Sequence, residues 1–462
     1  MPTPRPSRNR KKNRPSKSQH GIDPLTHPHA AGIDIGAEEI VAAVPPGSDG
    51  QPVRTFSSFT TGVSALRDWL LQCGVTTVAL ESTGNYWITT YDMLEQAGIE
   101  VYLVNARHVK GVPGKKTDVC DAQWLQQLHA AGLLKKSYRP AQDIVPLRYL
   151  MRHRAGLVEE SSRQIQLMQK VLTEMNLKIQ HVFSDLDGTS AQAIITAILG
   201  GERDAKVLAA LRDPRCRSSE QTIIEALAGN YREEYLFVLR QSQESWQRFL
   251  AALGECDEQI ARLTQAIQTP ERKPLPPAPA PVRRAKVGKN SPGSAIIEES
   301  KRFYGVDLTG IDGIGSGFLS VLMSEVGTAE QLLAAFPTPD RFCSWLGLCP
   351  DNRISGGKVL KAKTRNVKSH LATAFRLSAF ALGNAKSKLG EYCRRMKGRL
   401  GKAEGITATA HKLARIVYAM VATTTPYDEA NAFKLNPKNL ERQLRKLEKQ
   451  AAQLGFKIVA TA

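Results

Sequence analysis

The chain has 462 residues, of which 63 are Lys or Arg and 44 are Asp or Glu, so its formal net charge at pH 7 is +19. This length is too great for one hydrophobic core, and a 42% share of hydrophobic residues excludes a wholly disordered polymer. No uninterrupted apolar run approaches the ~20 residues of a membrane span, so we expect a soluble, cytoplasmic protein with no membrane partner.

Charge and composition change along the chain, which predicts six segments. The excess of positive charge favours a polyanion, and nucleic acid in particular, as the partner. The segments are a disordered basic arm over 1–30, an α/β domain over 31–145, a helical spacer over 146–269, a Pro-rich basic linker over 270–295, a mostly helical domain over 296–430 and a heptad helix over 431–462. A solubility tail or an expression leader is an equal alternative for the arm.

The first domain contains apolar runs typical of strands. Gly32-Ile33-Asp34-Ile35-Gly36 is followed by a run over 40–44, and further runs cover 75–80 and 101–104. A helical pattern begins near Asp118. Strands followed by a helix in this order predict a mixed α/β sheet.

Four carboxylates of this domain are candidates for a metal site. Asp34 lies between apolar residues in a strand, where a buried carboxylate is costly without a compensating cation or donor. Glu81 ends a strand, at the edge where α/β sheets bind ligands. Asp118 and Asp121 are three residues apart and share one helix face, although a helix N-cap beside a solvated neighbour is the ordinary alternative. Converging carboxylates of this kind would suit Mg²⁺, or Mn²⁺.

Three stretches have apolar residues at alternating steps of three and four. They cover 147–179, 249–267 and 440–454. The first two predict long helices that pack on each other or on a second subunit, and core packing inside one chain is the alternative. The third follows Pro437 and is interspersed with Lys, Arg and Glu.

The later domain combines a glycine turn with a dense basic region. Gly313 and Gly315 precede an apolar helix over 318–326, and the N–H groups of such a turn suit a phosphate, although a simple interhelical turn remains open. The stretch resembles a helix-hairpin-helix. Residues 353–402 hold fourteen Lys or Arg against the single acid Glu391. The side chains that we expect to bind nucleic-acid phosphate are Arg353, Lys358, Lys361, Lys363, Arg365 and Lys368.

Ser355 lies at the start of this basic region. Two glycines follow it and permit close backbone approach, and Arg353 and Lys358 bracket it. A serine hydroxyl held against a phosphate by cations could attack phosphorus, whereas an ordinary loop is the more frequent meaning of S-G-G.

Taken together, these motifs resemble one family. The parts are G-I-D-I-G and E-S-T-G-N-Y-W in a D…E…D-x-x-D unit, a helical spacer, then G-I-G and L-G-L-C-P-x-x-x-x-S-G-G with a basic helical region. In this order they resemble the bridge-RNA-guided DEDD transposases of insertion sequences, over about residues 31–425. The arm, the linker and the C-terminal heptad helix lie outside the resemblance.

The resemblance implies a RuvC-like, RNase H-type domain in which Asp34, Glu81, Asp118 and Asp121 hold Mg²⁺. A coiled coil would join it to a transposase domain whose nucleophile is Ser355, which forms a covalent phosphoserine with the cut DNA strand. A structured guide RNA would pair with donor and target DNA, and the enzyme would work as a dimer or tetramer with composite sites. The family would also place the protein on the bacterial nucleoid.

Three other functions stay open at the level of sequence. G-I-D-I-G also resembles the first phosphate loop of actin-like ATPases, although no convincing second Asp-Gly-Gly loop follows. A metal-dependent nuclease or resolvase would activate water and leave Ser355 structural. A non-catalytic DNA- or RNA-binding protein would keep its function when Asp34 is replaced by Asn.

Overall fold

The structure is a computed structural model, and it describes residues 25–82, 84–105, 118–271, 290, 292–293, 295–356, 358–361, 363–365, 367–433 and 437–459. The chain divides into two compact units between residues 139 and 140. Most of the predicted arm and of the Pro-rich linker lies outside the described residues, so both stay predictions. Within the described chain, no helix combines the length and the hydropathy needed to cross a membrane.

The first unit alternates short strands and helices. Its described strands are β1 (Ala30–Ile35), β2 (Glu39–Ala43), β3 (Val53–Ser57), β4 (Thr77–Glu81) and β5 (Glu100–Val104). Its described helices are α1 (Thr60–Gln72), α2 (Trp87–Gln96) and α3 (Asp118–Ala130). The last residues of the predicted arm, from 25 onward, belong to this folded unit, and β1 begins at Ala30.

The strands form one mixed sheet in the order β3-β2-β1-β4-β5. β1, β2 and β3 are antiparallel neighbours, whereas β4 and β5 run parallel to β1. This sheet is compatible with the RNase H-like α/β domain that the resemblance implied. The sequence did not predict β3, because this edge strand has no fully buried residue and therefore lacks a strong apolar run.

Helices cover both faces of the sheet. On one face Ile33 and Leu80 pack with Leu66 of α1 and Leu94 of α2 in the main core of the unit. On the other face Ala79 packs against Leu125 of α3. Successive residues of a strand point to opposite faces of the sheet. These contacts therefore show which face of the sheet each strand residue points to.

The second unit is mostly helical. Its described helices are α4 (Val145–Glu174), α5 (Ile179–Val182), α6 (Thr189–Leu199), α7 (Ala205–Ala210), α8 (Glu220–Ala226), α9 (Glu233–Ala266), α10 (Ala295–Tyr304), α11 (Ser316–Val326), α12 (Ala329–Ala335), α13 (Pro339–Trp345), α14 (His370–Ala381), α15 (Lys388–Leu400), α16 (Lys402–Thr423), α17 (Glu429–Ala432) and α18 (Pro437–Gln453). A short antiparallel hairpin, β6 (Arg353–Ser355) and β7 (Lys358–Lys361), separates α13 from α14.

The two long helices α4 and α9 of the predicted spacer pack on each other within one chain. The heptad spacing allowed this arrangement as well as packing on a second subunit. Met168 and Leu172 of α4 share a core with Leu239 and Trp246 of α9. Near the other end, the buried guanidinium of Arg154 donates to a carboxylate oxygen of Asp257 at 3.0 Å. Arg154, a charged residue at one of the heptad positions over 147–179, is thus paired rather than left uncompensated.

The helices α5 to α8 lie between the distal ends of α4 and α9 and have apolar residues in the same core, among them Ile194, Ile198 and Ile223. At the opposite end, the buried carboxylate of Glu325 in α11 accepts from Arg152 at 2.9 Å and pairs with Arg148 at 3.0 Å. These ion pairs join α4 to α11, which packs against α14 of the basic region.

Candidate functional site

Two of the predicted carboxylates lie near the carboxyl ends of two neighbouring strands in the middle of the sheet. Ile33 of β1 pairs with Leu80 of the parallel strand β4, so Asp34 and Glu81 occupy the next positions along the two strands. Both residues are half-buried. Asp34 follows Gly32 by two residues and Glu81 follows Ala79 by two, so both positions share the face of the sheet that α3 covers.

A close approach of backbone to backbone positions α3 on this face. A Cβ atom on Gly32 would lie 2.3 Å from the carbonyl oxygen of Ala122 and 2.3 Å from the amide nitrogen of Gln126. Only glycine allows this contact, and the side-chain amide of Gln126 adds a bond to the carbonyl of Ala30 at 3.2 Å. The first glycine of G-I-D-I-G thus determines how near the N-terminal turn of α3 comes to Asp34.

The remaining two carboxylates lie on that first turn of α3. Asp118 begins the helix, and the half-buried Asp121 directly precedes Ala122, the residue in contact with Gly32. The side chain of Asp118 lies outside what the structure describes. The backbone therefore brings Asp34, Glu81 and the start of α3 to the same corner of the unit.

The donor chemistry of this corner fits a hard divalent cation, because carboxylate oxygens are the ligands that Mg²⁺ and Mn²⁺ prefer. Among the side chains that are described, which do not include that of Asp118, no three His, Cys, Asp or Glu residues are close enough to hold a metal ion together. The complete four-carboxylate site therefore stays a prediction.

A buried histidine holds the other end of α3 against the sheet. The imidazole of His129 lies 2.9 Å from the hydroxyl oxygen of Thr77 in β4 and packs on the rings of Tyr102 and His27. Burial, with a smaller contribution from the neighbouring His27, lowers the pKa of His129 to about 4. The imidazole is therefore neutral at pH 7, and it is a residue that sequence reasoning missed.

Ser355 lies at the end of β6, where the hairpin turns. It pairs with Lys358 of β7, and its side chain is exposed. Gly356 follows with a φ of +55°, and a Cβ atom there would meet nothing within 4 Å, so backbone conformation rather than space favours glycine. The hairpin thus presents the serine hydroxyl to solvent, where a large substrate can reach it.

The predicted phosphate contacts of the hairpin region fall into three groups. Lys363 and Lys368 are exposed. Arg365 is also exposed, but its guanidinium donates to the carbonyl and, at 2.8 Å, to the hydroxyl of Ser344, so it connects the hairpin region to α13. The side chains of Arg353, Lys358 and Lys361 lie outside the described part.

The glycine turn before α11 is packed against α14. Gly313 has a φ of +84°, and a Cβ atom there would lie 2.8 Å from the carbonyl oxygen of Ser378. Gly315 is the N-cap of α11 and offers no side chain to cap its amides. This geometry explains the glycines structurally, and the phosphate contact that we predicted for this turn remains a prediction.

Comparison with known families places these features in context. Residues 31–177 match a family model described as a transposase, that of the DEDD transposases of the IS110 group. Residues 307–394 match a second model, described as the transposase of the IS116/IS110/IS902 family, and the two matches together cover about half of the chain. No curated protein matches the chain. The chain belongs to the IS110-type DEDD transposases, and it is a DNA transposase of an insertion sequence.

Proposed function

We propose that this transposase cuts and rejoins DNA through a phosphoserine formed on Ser355, assisted by divalent metal bound to Asp34, Glu81, Asp118 and Asp121 of a RuvC-like domain. The observation that carries the proposal is the coexistence of two separate elements in one chain. One is the pair of neighbouring parallel strands that carry Asp34 and Glu81 near their carboxyl ends, and the other is an exposed serine on a hairpin turn within a basic region.

The serine supplies the covalent step. Its hydroxyl loses a proton and attacks the scissile phosphorus, the Oγ–P bond forms, and the P–O3′ bond breaks to release a 3′ hydroxyl. A 3′ hydroxyl from the partner strand then attacks the same phosphorus and releases the serine. Because each step exchanges one phosphoester for another, no nucleotide cofactor is needed.

The carboxylates would bind the divalent metal ion that assists the reaction. Mg²⁺, or Mn²⁺ in its place, would neutralise the charge that develops on the phosphate and the leaving oxygen. Asp34, Glu81, Asp118 and Asp121 would hold the ion and orient it. Lys363 and Lys368, together with Arg353, Lys358 and Lys361, would bind the flanking phosphates, and Arg365 would keep the hairpin aligned with α13.

The partners follow from the same proposal. Donor and target DNA are double-stranded, and a structured non-coding RNA that pairs with both would choose the sites. Two or four copies of the chain would combine the carboxylates of one subunit with the serine of another. DNA binding of this kind would keep the protein on the nucleoid.

Trapping of a covalent adduct tests the serine. Wild-type protein incubated with end-labelled DNA, guide RNA and Mg²⁺ should yield a labelled protein band in denaturing gels, and Ser355→Ala should yield none. The exposed Ser184→Ala is the matched control and should keep the band. DNA cleavage without an adduct in both proteins would favour a water-dependent nuclease instead.

Replacement of single carboxylates tests the metal site. Asp34→Asn and Asp121→Asn should abolish cleavage while DNA and RNA binding persist, and the exposed Asp68→Asn should cleave normally. A chelator should stop the wild type, with Mg²⁺ or Mn²⁺ restoring it. Cleavage by Asp34→Asn at the wild-type rate would remove this residue from the site.

The guide is tested with the RNA encoded beside the gene. Strand exchange should require that RNA and should fail with an unrelated structured RNA of equal length. Exchange at the same sites without any RNA would contradict the guided model, whereas the serine and metal predictions would stand.

A further inference from the structure

The C-terminal helix α18 carries an apolar stripe that the rest of the described chain leaves exposed. Leu444 and Leu447 of α18 and Leu454 just beyond it have 43%, 51% and 75% of their surfaces exposed. With Ala451, they are spaced by alternating steps of three and four, which places them on one seam of the helix. Exposed leucines in such a row are uncommon on a monomer without a partner.

The helix has defined ends. Pro437 is its first residue, where the missing N–H costs nothing, and Gly455 follows it with a φ of +79°. The amide of Phe456 bonds back to the carbonyl of Ala451 at 2.8 Å and closes the last turn. A helix of 17 residues whose described leucines stay exposed is only marginally stable in water, so we expect a surface to cover its stripe.

The distribution of charge identifies that surface. Glu441 and Glu448 flank the seam on one side, Gln443 and Gln450 occupy the flanking register positions on the other, and the exposed cations Arg445 and Lys449 lie away from it. An anionic membrane or a nucleic acid would attract a seam flanked by cations, which is the reverse of this pattern.

A second copy of the same helix fits the pattern in one orientation. In a parallel pair, each position that carries Glu faces the position that carries Gln in the partner, so no like charges meet. In an antiparallel pair, Glu441 would face Glu448 of the other helix, and this repulsion disfavours that arrangement.

We propose that α18 pairs in parallel and in register with α18 of a second copy of this chain. The leucine seam is buried between the two helices, and Arg445 and Lys449 remain on the outside. This interface lies beyond the segments that match the transposase families, and it stands whether or not Ser355 is the nucleophile.

Two adjacent alanines allow a matched test in the full-length protein. Ala451 lies on the seam and the exposed Ala452 lies beside it. After mild oxidation, Ala451→Cys should give a disulfide-linked dimer in non-reducing gels, several-fold above both Ala452→Cys and the wild type with its native thiols. Equal dimer yields from the two cysteine variants would overturn the proposal, because in-register pairing brings position 451 next to its own copy and antiparallel pairing does not.

A second variant tests whether the leucine seam, rather than random collision between chains, brings the two cysteines together. Leu444→Lys and Leu447→Lys, added together to Ala451→Cys, should reduce the dimer to the level of Ala452→Cys, because the seam can no longer be buried. Both leucines are exposed, so folding should persist, as circular dichroism will check. A dimer that survives the two lysines would show that another surface brings the chains together. Neither measurement depends on DNA cleavage.

Discussion

At the scale of the single residue, His129 makes the stability of the first unit depend on pH. Its folded-state pKa of about 4 lies below the ordinary value of 6.5, so the unfolded chain binds the proton more readily. The neutral imidazole therefore contributes its full stability above about pH 6.5, and this contribution is lost as the pH falls toward 4. At 1.36 kcal/mol per pKa unit, the loss amounts to about 3 kcal/mol at most.

Denaturant unfolding at pH 7 and pH 5 measures this effect. The wild type should lose stability between the two values, and His129→Gln, which cannot titrate, should lose clearly less. His153→Gln is the control, because His153 is exposed and lies in the other unit. Equal losses in the wild type and His129→Gln would show that other groups produce the pH dependence.

At the scale of the element, Gly32 determines how closely α3 packs on β1. In Gly32→Ala, the new methyl would overlap the backbone of α3 at Ala122 and Gln126, and backbone cannot move as a flexible side chain can. We expect destabilisation of about 1–3 kcal/mol, and a displaced α3 that separates Asp121 from Asp34.

Cleavage assays and thermal unfolding check this prediction. Gly32→Ala should lose most of its DNA cleavage even at temperatures where it remains folded. Gly50→Ala is the matched control, since a Cβ atom there meets nothing within 4 Å, and it should behave as the wild type. Normal cleavage by a stable Gly32→Ala protein would mean that the spacing between α3 and β1 is not critical.

The elements also show what the sequence could predict. Strong apolar runs predicted β1, β2, β4 and β5, and the 3.5-residue spacing predicted α4 and α9. The same spacing could not decide whether the long helices pair within a chain, because the pattern is identical in both cases. The packing of Gly32 and the pairing of Arg365 with Ser344 depend on residues distant in sequence, and no local pattern contains that information.

At the scale of the whole molecule, the net charge of +19 should make DNA binding strongly dependent on salt. Each cation that contacts a phosphate contributes about 0.9 to the slope of log affinity against log salt concentration. Lys363→Gln and Lys368→Gln should each flatten that slope by about this amount, equally for all DNA sequences. Lys170→Gln in α4 is the control, since Lys170 is exposed and belongs to no predicted DNA contact. An unchanged slope in Lys363→Gln would exclude this residue from the interface.

The α4 and α9 pair has a consequence for how such a chain tolerates change in length. α4 has 30 residues and is about 45 Å long, and α9 runs back beside it in the opposite direction. Arg154 and Asp257 meet near the proximal end of the pair, where α4 begins and α9 ends. This ion pair involves no residue of α5–α8, which pack against the distal parts of the two long helices. We therefore expect insertions or deletions in the loops between α5 and α8 to leave the contact between Arg154 and Asp257 in place.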